Sequence, residues 1–114
     1  MTFYWYTNDT CDGTSTNIGT VDLVNGVAHP SASKGPLAAG SYSFKAHYNG
    51  DSNYNASDSA CEPLEVSKGT VTLLTTIYNA ADDTEIALNS HVALGTSVYD
   101  KATFSGYNPL FVPT

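Results

Sequence analysis

Between Gly40 and Tyr48 the side chains alternate with a period of two: Tyr42, Phe44, Ala46 and Tyr48 fall in one phase and Ser43, Lys45 and His47 in the other. Successive side chains on a strand point to opposite faces, so this pattern predicts a strand that buries one face. Leu37-Ala38-Ala39-Gly40 precedes it as a short turn with an apolar anchor, and Asn49-Gly50-Asp51-Ser52-Asn53 follows it with residues that favour turns. A second strand is expected from about Ala60 to Val66, with Leu64 and Val66 in one phase and Glu62 and Glu65 outside it. The two read as an antiparallel hairpin, and a chain built around it needs further strands to cover the aromatic face.

The remaining residues point the same way. Eight Tyr, four Phe and one Trp stand among many Thr, Ser, Val and Gly, while Arg and Gln are absent. That composition suits strands and turns, and no window longer than about eight residues keeps a helical period. An all-β fold follows. The length of 114 residues is that of one domain. A formal charge of −7, spread along the chain, repels phosphate backbones and excludes a nucleic-acid footprint. No apolar run is long enough for membrane insertion as a helix. Met1 leads directly into a strand pattern and not into a charged and then apolar leader, so a mature segment or a piece of a longer protein is expected.

Taken in order, Thr2 to Thr7 carries aromatic side chains in both phases, Phe3 and Trp5 against Tyr4 and Tyr6, as a central strand would. Asn8 to Asn17 is a polar loop with Cys11 in its middle and an Asp12-Gly13 turn signal. Gly19 to Val24 alternates through Val21 and Leu23, and Asn25-Gly26 then predicts a tight hairpin turn into Val27-Ala28-His29. Pro30 and Pro36 mark a loop. Ser67-Lys68-Gly69 reads as a joint, Thr70 to Tyr78 as a strand, Asn79 to Ala87 as a turn region, and Ser97 to Phe104 as a strand with Val98, Ala102 and Phe104 in the core. Ser105 to Thr114 is a loop with two prolines.

The string AGSYSFKAHYNGDSNYNASDS resembles the last two strands of the bacterial immunoglobulin-like repeats of large secreted and surface-attached proteins, through Gly40, Tyr42, Ala46, Tyr48, Gly50, Asp51, Asn53 and Tyr54. The resemblance implies an immunoglobulin-like antiparallel β-sandwich with Greek-key connections, located outside the cell or on its surface. In it Tyr42 would be the tyrosine corner, and Trp5, Tyr42, Phe44 and Tyr48 would form the core. Cys11 and Cys61 would then form a disulfide fixing the polar loop to the last hairpin strand, two free buried thiols being the other reading.

In such a repeat the opening strands precede the Phe3/Trp5 strand, whereas here the matching residues come last. The resemblance therefore implies a rotated order: residues 1–67 supply the back of one sandwich and residues 68–114 its front or that of the next. Val71, Leu73, Ile77, Val98 and Phe104 would lie on the completing strands. Either 68–114 folds back onto its own 1–67, or it completes a neighbouring copy or adjacent repeat by strand complementation, as in a stalk, an adhesin or a head-to-tail filament.

Little in the sequence points to chemistry. His29, His47 and His91 are isolated, and no glycine-flanked serine elbow exists, so neither a zinc site nor an enzyme is expected, and no cofactor. The acidic groups Asp9/Asp12, Asp51/Asp58 and Asp82/Asp83/Glu85 lack the spacing of a calcium loop and read as solvated turn residues. Lys45 lies on the outward phase, away from any covalent cross-link. Asn8-Asp9-Thr10 and Asn55-Ala56-Ser57 are sequons for glycosylation. The alternative function is carbohydrate binding, with Tyr4, Tyr6, Tyr54 and Tyr107 as a platform for a glycan ligand.

Overall fold

The computed structural model describes Met1–Thr114 and contains eight strands and no helix. They are β1 (Thr2–Tyr6), β2 (Thr16–Thr20), β3 (Gly40–Tyr48), β4 (Ser57–Asp58), β5 (Glu62–Val66), β6 (Thr72–Asn79), β7 (Glu85–Ile86) and β8 (Val98–Ser105). Every pairing between them is antiparallel. The chain divides into two compact units, Met1–Lys68 and Gly69–Thr114.

In the first unit β1 lies between β2 and β3, and both β4 and β5 pair with the far edge of β3. Residues opposite one another in register share a face. Phe3/Ala46, Trp5/Phe44 and Tyr42/Leu64 therefore form one face, and Thr2/His47, Tyr4/Lys45 and Tyr6/Ser43 the other. The first is the core face: Trp5 is only 4 % exposed, stacks on Tyr42 at 5.1 Å between centroids and meets Phe44 edge-on at 4.7 Å. Such aromatic contacts add about 0.5–1.5 kcal/mol each to the area they bury. Ile18 of β2 is buried as well, and the Lys34 ammonium lies 5.9 Å from the Trp5 ring centre. Glu62 pairs with Phe44 and so shares the phase of Leu64, a correction to the assignment from sequence.

The turns carry their own hydrogen bonds. The Tyr42 hydroxyl donates to the Ala38 carbonyl at 2.8 Å, tying the ring to the turn before its strand. The Asp51 carboxylate accepts from the Asn53 and Tyr54 amides at 2.7 and 2.9 Å and from the Tyr48 hydroxyl at 2.8 Å. Gly50 enters that turn at φ +82, and a Cβ there would lie 2.8 Å from the Ala56 nitrogen, so only glycine fits.

Ser43 departs from the simple alternation. It lies in the outward phase, yet it is fully buried, because the segment Asn8–Cys11 crosses over it. Its hydroxyl donates to the Asn8 carbonyl at 2.7 Å and accepts from the Cys11 amide at 3.3 Å. A disulfide joins Cys11 to Cys61, 50 residues away, just ahead of β5. The predicted strand over 19–24 starts earlier and ends at Thr20. Asn25-Gly26 makes its tight turn with both residues at positive φ, but only the Val24–Val27 bridge forms beside it.

In the second unit β6 lies between β7 and β8. Leu73/Phe104, Thr75/Ala102, Ile77/Asp100 and Asn79/Val98 share one face, with Ile86 opposite Ile77. On the other face Tyr78 stacks on Tyr99 at 5.4 Å, with Lys101 5.9 Å from the Tyr78 ring centre. Val98, Ala102 and Phe104, predicted as core, are exposed, as is every strand residue of β8. The pattern identified their shared face correctly, but the three strands of this unit do not by themselves bury it.

Replacing both Cys11 and Cys61 by Ser frees a loop whose closure entropy corresponds to about 4 kcal/mol. The urea midpoint of Trp5 fluorescence, the single tryptophan and a reporter of the first unit alone, is expected to fall accordingly. Gly50→Ala is expected to lower the unfolding free energy read from the same transition by about 1–3 kcal/mol through strain at positive φ.

Candidate functional site

Two surfaces stand out, one on each unit. The first is a recess of about 270 Å³ on the face of the first sheet opposite the core, lined by Tyr4, Tyr6, Ser15, Lys45, His47 and Asp58. Strand geometry assembles it. Tyr4 and Tyr6 are two residues apart on β1 and so project from one side, while Lys45 is the cross-strand partner of Tyr4. His47 lies two residues beyond Lys45 on β3, and Asp58 of β4 is its direct partner. Ser15 comes from the polar loop held over Ser43.

The recess is polar, and one pair in it has a fixed geometry: His47 Nδ1 bonds Asp58 Oδ1 at 2.8 Å. That bond, reinforced by the charges of His47 and Lys45, holds the Asp58 carboxyl below the ordinary Asp value. Asp58 is thus an acceptor of defined orientation, with Lys45 as a donor beside it and two phenol rings as partly apolar walls. Of the tyrosines proposed from sequence as a glycan platform, Tyr4 and Tyr6 line this recess. Tyr54 instead stands 70 % exposed in the turn after β3, and Tyr107 belongs to the second unit. Alternation gives Lys45 and His47 an outward direction but does not connect them with Tyr4 and Tyr6; the shared outward phase of the two strands is the signal available.

The second surface is the apolar face of β6 and β8. Leu73 is 54 % exposed, Ile77 48 %, Val98 51 % and Phe104 49 %, and Val71 just ahead of β6 is also exposed. Thr75, Asn79 and Asp100 share this face and interrupt it, Asp100 directly opposite Ile77, but its large apolar side chains stand exposed together. These five apolar residues are the ones that the sequence assigns to completing strands.

The remaining candidates serve local structure. Asn8 uses its side chain within its loop, donating to the Asp12 carbonyl at 2.9 Å and accepting from the Thr10 amide at 3.2 Å. Asn55 is exposed in the turn after β3. Asp82 accepts from the Thr84 hydroxyl and amide, which lowers its pKa, and Asp83 accepts from the Tyr99 hydroxyl at 3.0 Å, which raises that of the tyrosine. The Cys11–Cys61 disulfide fits an oxidising compartment, and no helix is long and apolar enough to cross a membrane.

No protein-family model, curated protein or solved structure matches the chain.

A carboxyl with a depressed folded-state pKa contributes stability above its unfolded value, about 3.9 for Asp, and that contribution is lost as pH falls through the lower folded value. The carboxyl carbon of Asp58, followed by NMR, is expected to titrate below the ordinary Asp value, and His47→Ala is expected to move its midpoint up towards it. An unchanged midpoint in the variant would show that the pair does not form in solution.

Proposed function

We propose that the chain is a non-catalytic structural module of immunoglobulin-like architecture, part of an extracellular stalk, adhesin or head-to-tail fibre. In this reading Gly69–Thr114 of one copy or repeat supplies the second layer for Met1–Lys68 of the next. The observation that carries it is the exposed apolar face of β6 and β8. A three-stranded sheet needs a packed face for stability. Completing the burial of Leu73, Ile77, Val98 and Phe104, each about half exposed, is worth roughly 3–6 kcal/mol in all.

Three further features support the reading. The resemblance over 35–66 places the front strands of a sandwich before β1, and here their counterparts follow β5. The joint between the units is a few residues, too short for an independent linker domain. The aromatic face of the first unit, with Phe3, Tyr42 and Phe44 each only partly covered, offers a surface of matching chemistry. Contact between a C-terminal surface and a different N-terminal one is heterologous, so repetition yields a filament and not a closed dimer unless the rotation happens to close.

Light scattering at several concentrations, with electron microscopy, tests this together with a chain of two copies in tandem. Mass that grows with concentration, or a tandem chain whose internal 69–114 segment and following copy melt together and above the single chain, is the expected result. Ile77→Lys and Phe104→Asp should abolish either effect while leaving Trp5 fluorescence native. A constant monomer mass with the β6/β8 amides strongly protected from hydrogen exchange would mean closure within one chain and overturn the proposal.

A further inference from the structure

We infer that the recess on the outer face of the first sheet is a binding site for one ring of a neutral saccharide. The inference is independent of the assembly proposed above, because it concerns the face of the β1/β3 sheet opposite Trp5, which is not needed to build a second layer.

The side chains at this place are hard to account for otherwise. Tyr4 and Tyr6 are half-buried although they point away from the core, and they stand beside Lys45, His47 and Asp58 around a single depression. The contents of the wall narrow the ligand. A purely apolar ligand would strand the Lys45 ammonium and the Asp58 carboxylate without water. A polyanion would meet Asp58 and a chain of net charge −7. A metal ion would find one carboxylate beside an ammonium, which is too few oxygen ligands for a hard cation and a repulsive neighbour.

A pyranose ring carries what remains: hydroxyls that both donate and accept, and C–H patches that lie against aromatic rings. His47 engages Asp58 Oδ1 and so fixes the carboxylate, leaving its second oxygen to accept from one sugar hydroxyl. Lys45 can donate to the neighbouring hydroxyl, and the Tyr4 and Tyr6 rings flank the C–H edge. The volume of about 270 Å³ falls just below the ~300–1,000 Å³ of pockets for drug-sized ligands, which limits the recess to one ring. Such a shallow site supports a dissociation constant of about 1 mM, and useful strength would come from several copies engaging one glycan.

The test is an amide NMR titration of the intact chain with the methyl glycosides of glucose, galactose, mannose and N-acetylglucosamine, each to about ten times that constant. At least one glycoside is expected to give saturable shifts at residues 4, 6, 45, 47 and 58. The affinity should fall at least tenfold in both Tyr6→Thr and Asp58→Asn and stay unchanged in Tyr54→Thr. Trp5 fluorescence checks that each variant is folded, and Asp58→Asn, an exposed and nearly isosteric change, keeps the test valid if Tyr6→Thr is not. Four glycosides without saturable shifts, or shifts that survive Asp58→Asn, would each overturn the inference.

Discussion

The loop from Asn8 to Ser15 contains no aliphatic or aromatic side chain that could anchor it by burial, so its place depends on a polar anchor. That anchor is the Ser43 hydroxyl, donating to the Asn8 carbonyl at 2.7 Å and accepting from the Cys11 amide, with the Cys11–Cys61 disulfide alongside. A hydroxyl removed from water must satisfy its bonds, and one left unpaired costs about 1–3 kcal/mol. Ser43 meets that condition only when the loop is in place. The loop in turn carries Ser15 into the wall of the recess and joins β1 to β2. The order of β2, β1 and β3 and the recess on their outer face therefore rest on the same small arrangement.

Much of this was legible in the sequence, and the parts that were not share a cause. Alternation placed β1, β3, β5, β6 and β8 within a few residues, because a half-buried strand writes its two faces directly into its side chains. It failed at Ser43, where a polar residue in the outward phase is buried by a loop; nothing local to 40–48 reveals that crossing. It failed again between Thr20 and His29. There the Asn25-Gly26 turn formed as its residues dictate, but the flanking Val21, Leu23 and Val27 found no ladder beyond one bridge. Turn chemistry is local and strand pairing is not. The recess is half legible: Tyr4 and Tyr6 stand out in the sequence as a pair of aromatics in one phase, while Lys45, His47 and Asp58 join them only through the β1/β3 and β3/β4 registers.

The two units illustrate different relations between pattern and stability. In the first, one apolar phase reaches a core, with Trp5 in contact with Tyr42 and Phe44 and the adjoining turns tied by Tyr42 and Asp51. In the second, the apolar phase of β6 and β8 is interrupted by Thr75, Asn79 and Asp100, and the main ordering contacts lie on the other face, in the Tyr78–Tyr99 stack and the Tyr99–Asp83 hydrogen bond. Expecting Val98, Ala102 and Phe104 in a core assumed that an apolar face has a partner. The sequence identifies the face, while the partner is a property of whatever stands opposite.

That separation bears on how one small sheet would serve both the assembly and the saccharide recognition proposed above. Along the unbroken β1/β3 register the side chains divide between two faces, so aromatic residues on one phase can pack against a second layer without constraining the other phase. Tyr4 and Tyr6 alternate with Phe3 and Trp5 along the same five residues, and Lys45 and His47 alternate with Phe44 and Ala46. A substitution in the recess leaves the core face unaltered, and a change of neighbour at the core face leaves the recess open. Repeating such a unit along a fibre would repeat the recess at a constant spacing, so that weak single sites gain strength from number while the fibre's stability is set on the opposite face.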